Sequence, residues 1–301
     1  MIKTVIDTDP GTDDVLALIM ALNSPELDIQ GLTTVGGNAS LAHTTQNTLR
    51  LMEYLGHPHM PVSRGAARPL RGKFQYAYHY HGPGGLTVRL PSAKAEPRPL
   101  RAPDYIISLA YSFPGELVLI ALGPLTNVAN AMNKEPRLKD WLKEIIVMGG
   151  AVEAPGNVTP HAEFNIYNDP AAANIVFSSG TPITLIGLDV CKQTYLTIDD
   201  VSLTSNQSKG EKLAFRIVTN WLESRPGRNQ YMLCDPLTIA AAIQPELLSY
   251  REATISVETE DKERIGKTSA IYGVGNVKVA SSVNVADANA AVKGLLGGKR
   301  L

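Results

Sequence analysis

Short runs of apolar, often β-branched residues recur along the 301-residue chain, and most are followed by Gly, Asp or Asn and then by apolar positions at helical spacing. Such runs predict strands over residues 4–7, 29–35, 117–122, 144–148 and 183–188. The helical spacing predicts helices over residues 14–22, 41–54, 126–132, 170–178, 211–222, 235–243 and 287–296. Strands alternating with helices in this way build an α/β fold around a mostly parallel sheet. Residues 63–103 break the rhythm: they are dense in Pro, Gly, Arg and aromatic residues, hold no sustained period, and are expected to form long loops beside the sheet. Tyr76, Tyr78 and Tyr80 alternate within them, as they would on a strand face or in a lid. Residues 254–285 read as late strands in a small β-rich edge, joined by the Gly273-Val274-Gly275 turn. No internal repeat and no interdomain linker stands out.

Composition narrows the class. With 44% hydrophobic and 19% charged residues the chain can bury a sizeable interior, so wholly disordered and low-complexity readings are excluded. Its length suits one large α/β domain, residues 1–301. Lys and Arg number 28 against 29 Asp and Glu, with no basic block, so neither nucleic acid nor a membrane is an expected partner. Two cysteines, Cys191 and Cys234, make no disulfide framework, and Met1-Ile2-Lys3-Thr4 lacks the regions of a signal peptide. Apolar runs such as residues 15–22 fall short of a membrane span. A soluble, cytoplasmic protein is expected.

The densest chemistry lies at the end of the first strand. Asp7-Thr8-Asp9-Pro10-Gly11-Thr12-Asp13-Asp14 gathers four carboxylates in eight residues. Asp13 or Asp14 could cap the following helix, because acidic groups are favoured at helix N-termini. A cap accounts for one or two of them. The carboxyl ends of parallel strands form the ligand crevice of an open sheet, where crowded carboxylates raise one another's pKa and a cation relieves the repulsion. An all-oxygen donor set without nearby Cys or His suits Ca²⁺ or Mg²⁺, and Ca²⁺ better accepts further ligands from a substrate.

The motif D-x-D-P-G-x-D-D after a first strand resembles the N-terminal motif of the nucleoside hydrolases, calcium-dependent enzymes of ribonucleoside salvage. The similarity continues through Thr34-Val35-Gly36-Gly37-Asn38, Gly123-Pro124-Leu125-Thr126-Asn127, Val147-Met148-Gly149-Gly150, Asn157, Ala162-Glu163-Phe164-Asn165 and Asp235. It implies a Rossmann-like open sheet in a single nucleoside hydrolase-like domain, a ribonucleoside substrate, and a homodimer or homotetramer. It implies Ca²⁺ held by the side chains of Asp9, Asp14 and Asp235 and by the carbonyl of Leu122. It assigns Asp13, Asn157, Glu163 and Asn165 to ribose hydroxyls with help from the Met148 carbonyl, and it turns Asn38 toward the site. Standing alone, Asn38 would also suit a left-handed turn, and residues 156–165 a polar loop. Amides mixed with carboxylates are apt partners for hydroxyls that both donate and accept.

Cleaving an N-glycosidic bond builds oxocarbenium character on the sugar and needs an activated water and help for the leaving base. The resemblance makes Asp9 the proton acceptor for the water. Many family members carry His immediately before the last calcium-binding Asp, whereas this chain has Cys234, as does a subgroup with the same exchange. Cys234 is either the leaving-group acid or a small packed residue. His81, in His79-Tyr80-His81-Gly82, either meets the base or lies at the surface, with Trp221 and Tyr231 as aromatic groups able to stack or pack. Two other functions compete. A non-catalytic nucleoside-binding protein would not need Asp9. A haloacid-dehalogenase-type phosphatase would use Asp7-x-Asp9, but Gly11 stands where that family usually has Thr or Val. No G-x-G-x-x-G run supports a dinucleotide enzyme.

Overall fold

The computed structural model describes residues 1–201 and 207–298. Its strands are β1 (Ile2–Thr8), β2 (Leu27–Thr34), β3 (Val62–Arg64), β4 (Leu117–Ala121), β5 (Leu142–Met148), β6 (Ile183–Ile186), β7 (Tyr195–Leu196), β8 (Tyr231–Met232), β9 (Leu248–Val257), β10 (Thr268–Tyr272) and β11 (Val277–Val283). Nine of them form one sheet in the order β10-β9-β11-β6-β5-β4-β1-β2-β3, while β7 and β8 pair as a small antiparallel ribbon. Every pairing from β11 to β3 is parallel, and β9 is antiparallel to both β11 and β10. The α/β architecture with a β-rich edge is therefore as the sequence predicts.

Both faces of the sheet are covered, which is why strands such as Leu117-Val118-Leu119-Ile120-Ala121 are apolar throughout. Alternate residues feed two cores. Ile6, Leu32, Ile120 and Ile146 pack under the helices Thr12–Asn23, Leu41–Leu55, Lys209–Glu223, Cys234–Ile243 and Val285–Leu296. Val5, Leu119, Ile145 and Leu185 pack under Ala102–Ser112, Thr126–Lys134 and Pro170–Phe177. Chain order reverses between β1 and β4: β1, β2 and β3 run outward one way, and β4, β5 and β6 the other. That switch point is where an open α/β sheet leaves a crevice beyond its strand ends. Among the described residues no helix is long and apolar enough to cross a membrane.

Several boundaries differ from expectation. The strand expected to reach residue 188 stops at Ile186, because Gly187 caps a short helix, Leu188–Cys191. Residues 63–103 are not structureless: β3 begins just before them, Tyr78–His81 makes a helical turn, and Ala102–Ser112 starts inside them. The alternating tyrosines are thus not on a strand. The late strands begin at Leu248 rather than at residue 254, and the Gly273–Gly275 turn joins strands that lie on opposite sides of β9. β10 pairs with Ala253–Val257 and β11 with Leu248–Ala253, so the chain crosses β9 midway. Gly275 makes the crossing, at φ 147° against the Ala253 backbone, where a Cβ would overlap the Ala253 carbonyl. Only glycine fits that passage.

Candidate active site

β1 ends at Thr8, and the motif that follows wraps back on itself. Asp14, on the first turn of the helix Thr12–Asn23, accepts from the Thr8 hydroxyl at 2.5 Å, the Gly11 amide at 2.9 Å and the Asp9 amide at 3.2 Å. The Asn38 side chain donates at 3.0 Å to Oδ2, the oxygen that also accepts the Gly11 amide. Asp14 is therefore a capping carboxylate as well as a member of an acidic cluster. Asp9 is fully buried, and its Oδ2 accepts the Asn38 amide at 2.6 Å while its Oδ1 has no hydrogen-bond partner. Glycines at 37 and 123 make room for it, since a Cβ at either would overlap the Asp9 carboxylate. Asn38 thus bridges Asp9 and Asp14; its backbone is not left-handed, because no residue other than glycine has positive φ among those described.

Asp13, Asp14 and Asp235 each bring a carboxylate oxygen within 4.8 Å of the others, and no second such group of His, Cys, Asp or Glu occurs among the described residues. Asp235 sits inside the first turn of Cys234–Ile243, whose cap is Leu233. Asp13 Oδ1 is buried without a hydrogen-bond partner. Burial pushes Asp9, Asp13, Asp14 and Asp235 all above the usual carboxylate range, and their mutual charge adds to the push at Asp9, Asp13 and Asp235. Crowded, desolvated carboxylates with oxygens lacking partners are the arrangement that a hard cation relieves.

Leu122 and Met148 follow or end the adjacent strands β4 and β5, so their carbonyls emerge side by side. Asn165 ties them together, its Nδ2 donating to Leu122 O at 2.7 Å and to Met148 O at 3.2 Å. Glu163 caps the five-residue helix Phe164–Asn168, accepting from the amides of Asn165, Ile166 and Gly150 at 2.9–3.1 Å. Burial raises its pKa, although these amides oppose the shift. Asn157 is exposed on the preceding loop.

These groups meet at a cavity of about 690 Å³. Asp13, Asn38, His81, Leu122, Met148, Asn157, Glu163, Asn165, Cys234 and Asp235 all line it. Asp9 and Asp14 lie immediately behind, hydrogen-bonded to Asn38. Ten residues singled out from seven separate stretches of sequence thus face one space, and the other two support it.

His81 is not a surface residue. It is 4% exposed, and its ring lies against Gly11, where a Cβ would come within 2.6 Å of Nδ1. Nδ1 accepts the Thr12 amide at 3.0 Å and stands 3.0 Å from the Thr12 hydroxyl. A backbone amide can only donate, so the neutral ring carries its proton on Nε2. Burial, with the Arg225 charge second, lowers its pKa to about 3. A hydrogen bond with Cys191 and then burial push the Cys234 thiol well above its usual range. Trp221 and Tyr231 are both 1% exposed and stack edge to face at 5.1 Å, so they pack beneath the site.

A protein-family model described as inosine-uridine preferring nucleoside hydrolase matches residues 4–290. The chain belongs to that family. It is accordingly a hydrolase of N-glycosyl bonds. It is 39% identical over 265 residues to a probable uridine nucleosidase 1 of Oryza sativa subsp. japonica, covering 86% of this chain and 82% of that one. A solved plant nucleoside hydrolase superposes with a TM-score of 0.93 at 35% identity, covering 98% and 99% of the two chains. A purine-preferring ribonucleoside hydrolase from Gardnerella vaginalis gives 0.92 at 32% identity, covering 98% of each.

Reading this nucleoside hydrolase from sequence alone overlooks the groups that hold its aspartates. Asn127 donates to Asp7 Oδ1 at 2.7 Å and to Thr34 O at 3.1 Å, and Thr33 donates to the same Asp7 oxygen at 2.5 Å. Asn127 closes the Gly123-Pro124-Leu125-Thr126-Asn127 motif, whereas Thr33 lies inside a strand with no motif to mark it. Gln75, Arg228 and Met232 also line the cavity, and only the fold brings them there.

Proposed function

We propose that the chain hydrolyses ribonucleosides to ribose and free base with Ca²⁺, acting as one domain and as a homodimer or homotetramer. The observation that carries this reading is the Asp13, Asp14 and Asp235 cluster beside Asp9, with Asp9 Oδ1 and Asp13 Oδ1 buried without partners at the floor of a cavity walled by Asn and Glu. The residues fit the ion: Asp9, Asp14, Asp235 and the Leu122 carbonyl offer only oxygen donors. Bound there, Ca²⁺ supplies the positive charge that keeps these carboxylates ionised and anchors ribose hydroxyls.

Asp9 accepts a proton from the attacking water; its Oδ1 is the oxygen left without a hydrogen bond. Asp13, Asn157, Glu163 and Asn165 orient the ribose, and the negative charge around it favours the cationic transition state. Glu163 and Asn165 are themselves fixed by backbone hydrogen bonds, so this orientation is held by the chain before substrate arrives.

Departure of the base depends on His81 and Cys234. The shifts above leave the imidazole and the thiol neutral at pH 7, so each offers a hydrogen bond without being a strong acid. That suits a base able to leave as a delocalised anion, uracil before adenine. The cysteine in place of the more frequent histidine supports membership of the cysteine-bearing subgroup. The uridine nucleosidase name of the rice relative supports the same preference. Ribose release from uridine, cytidine, inosine, adenosine and their 2′-deoxy counterparts, each with Ca²⁺ and with chelator, tests the proposal. Calcium-dependent ribose, uridine fastest and deoxyribonucleosides slow, is the expected result. No ribose from any of them with a folded, calcium-bound protein would overturn it.

A further inference from the structure

Arg225 lies between the helix Lys209–Glu223 and β8, outside every motif that marks the site. Its guanidinium makes contacts in three directions. One nitrogen, Nη2, donates to the carbonyls of His79 at 3.1 Å and Tyr80 at 2.5 Å, the last residues before His81 in the helical turn Tyr78–His81. The other, Nη1, donates to the Trp221 carbonyl at 3.2 Å and the Ser224 hydroxyl at 2.7 Å, at the C-terminal end of its own helix. The guanidinium Cζ lies 4.4 Å from the centre of the Trp221 ring and 5.2 Å from that of Tyr80. One cation therefore caps carbonyls at two helical C-termini and lies over an aromatic ring from each.

The turn it grips is tied at its N-terminal end through the Tyr78 hydroxyl, which accepts the Ser40 amide at 3.0 Å and lies 2.9 Å from His43 Nδ1, so Arg225 is what holds its C-terminal end. It is four residues long, too short for helix propagation to stabilise by itself. From that same end His81 reaches across to Gly11 and Thr12, one residue from Asp13. Tyr80 connects the two contacts, its ring edge to face with Trp221 at 5.1 Å and with His81 at 4.8 Å. Arg225 thus fastens the C-terminal end of the turn, and the first turn of the aspartate-bearing helix receives the His81 ring that this end carries.

We infer that Arg225 is a positioning residue for catalysis, a latch that holds the Tyr78–His81 turn so that His81 Nε2–H faces the base. It rests on the reading of His81 given under the proposed function. Lysine cannot replace it, because a single ammonium cannot span carbonyls from two elements while lying over two rings.

Hydrogen exchange and kinetics on Arg225→Ala, Arg225→Lys, His81→Ala and the double variant test the latch. The Tyr80, His81 and Gly82 amides bond within the turn, to Ala77 and Tyr78 carbonyls at 2.8–2.9 Å, and report on it directly. In Arg225→Ala these amides should exchange about tenfold faster or more, while those of the helix Thr126–Lys134 keep their rates. kcat/KM for uridine should fall about tenfold or more, with Arg225→Lys between wild type and alanine. In the His81→Ala background the same change should cost less than about threefold. Unchanged exchange in the turn overturns the latch, as does an undiminished loss in the double variant. Wild-type kcat/KM in His81→Ala would instead overturn the reading of His81, leaving exchange to decide the latch alone.

Discussion

Gly123→Ala is the most direct probe of the cage around Asp9. The added methyl would overlap Asp9 Oδ1 and stand 2.8 Å from Asp9 Cγ and 3.1 Å from Val35 Cγ1. Ordinary carbon contacts begin near 3.4 Å. Gly123 does not have positive φ, so alanine suits its backbone and the effect falls on the carboxylate. Asp9 must withdraw by roughly 1 Å, away from a position set by the Asn38 amide, and a misplacement of that size costs a catalytic group on the order of 100-fold, or about 3 kcal/mol of transition-state stabilisation. Overpacking costs about 1–3 kcal/mol of folding stability, which a large α/β domain tolerates. kcat/KM for uridine at saturating Ca²⁺, measured with the thermal midpoint, separates the two effects. Gly84→Ala is the control, since it has open space and no positive φ. A Gly123→Ala enzyme within threefold of wild type would refute the idea that the glycines fix the base.

Asp9→Ala should abolish ribose release while circular dichroism and the thermal midpoint stay near those of wild type; a near-normal rate would remove Asp9 as the base. Cys234→Ala should slow inosine far more than uridine if the thiol assists the base, and equal rates for both substrates would make Cys234 a packing residue. Asp7 gives a pH signature in chelator. Burial raises its pKa from 3.8 to about 7, so its contribution is fully present below pH 4 and is lost as pH rises toward and past 7, up to about 4 kcal/mol. Asp7→Asn should remove that decline in urea unfolding measured from pH 5 to pH 8, and a pH-independent difference between the two proteins would contradict it. Gly275→Ala should destabilise the fold by about 3 kcal/mol or more, since both positive φ and the Ala253 backbone oppose a side chain, and a midpoint shift below about 2 °C would show the crossing to be more pliant than described.

The parts of this molecule legible in its sequence are those set by local pattern. β4 is five buried apolar residues and announces itself; β3 is only Val62-Ser63-Arg64, too short for any period. The helix Ala102–Ser112 was hidden at its start by the Pro-rich stretch before it, although Pro103 suits a first turn. The aspartate motif was legible because four carboxylates in eight residues have few structural explanations. His81 was not, because its burial and tautomer come from Gly11 and Thr12, 69 residues away along the chain. Arg225 and Arg228 were unreadable for the same reason: nothing near them in sequence indicates that they reach the His81 turn and the cavity wall.

The midway crossing of β9 has a consequence for how these molecules behave when crowded. Because β10 covers only Ala253–Val257, the sheet ends in a step instead of a straight rail. A strand from another molecule finds at most the five residues of β10, about 17 Å, before the edge drops back to β9 at Arg251 and Glu252. Ile271 and Val274, 74% and 76% exposed, lie on and beside β10 and would otherwise invite such pairing. The glycine that lets the chain step across a neighbouring strand thereby blunts the molecule against edge-to-edge aggregation.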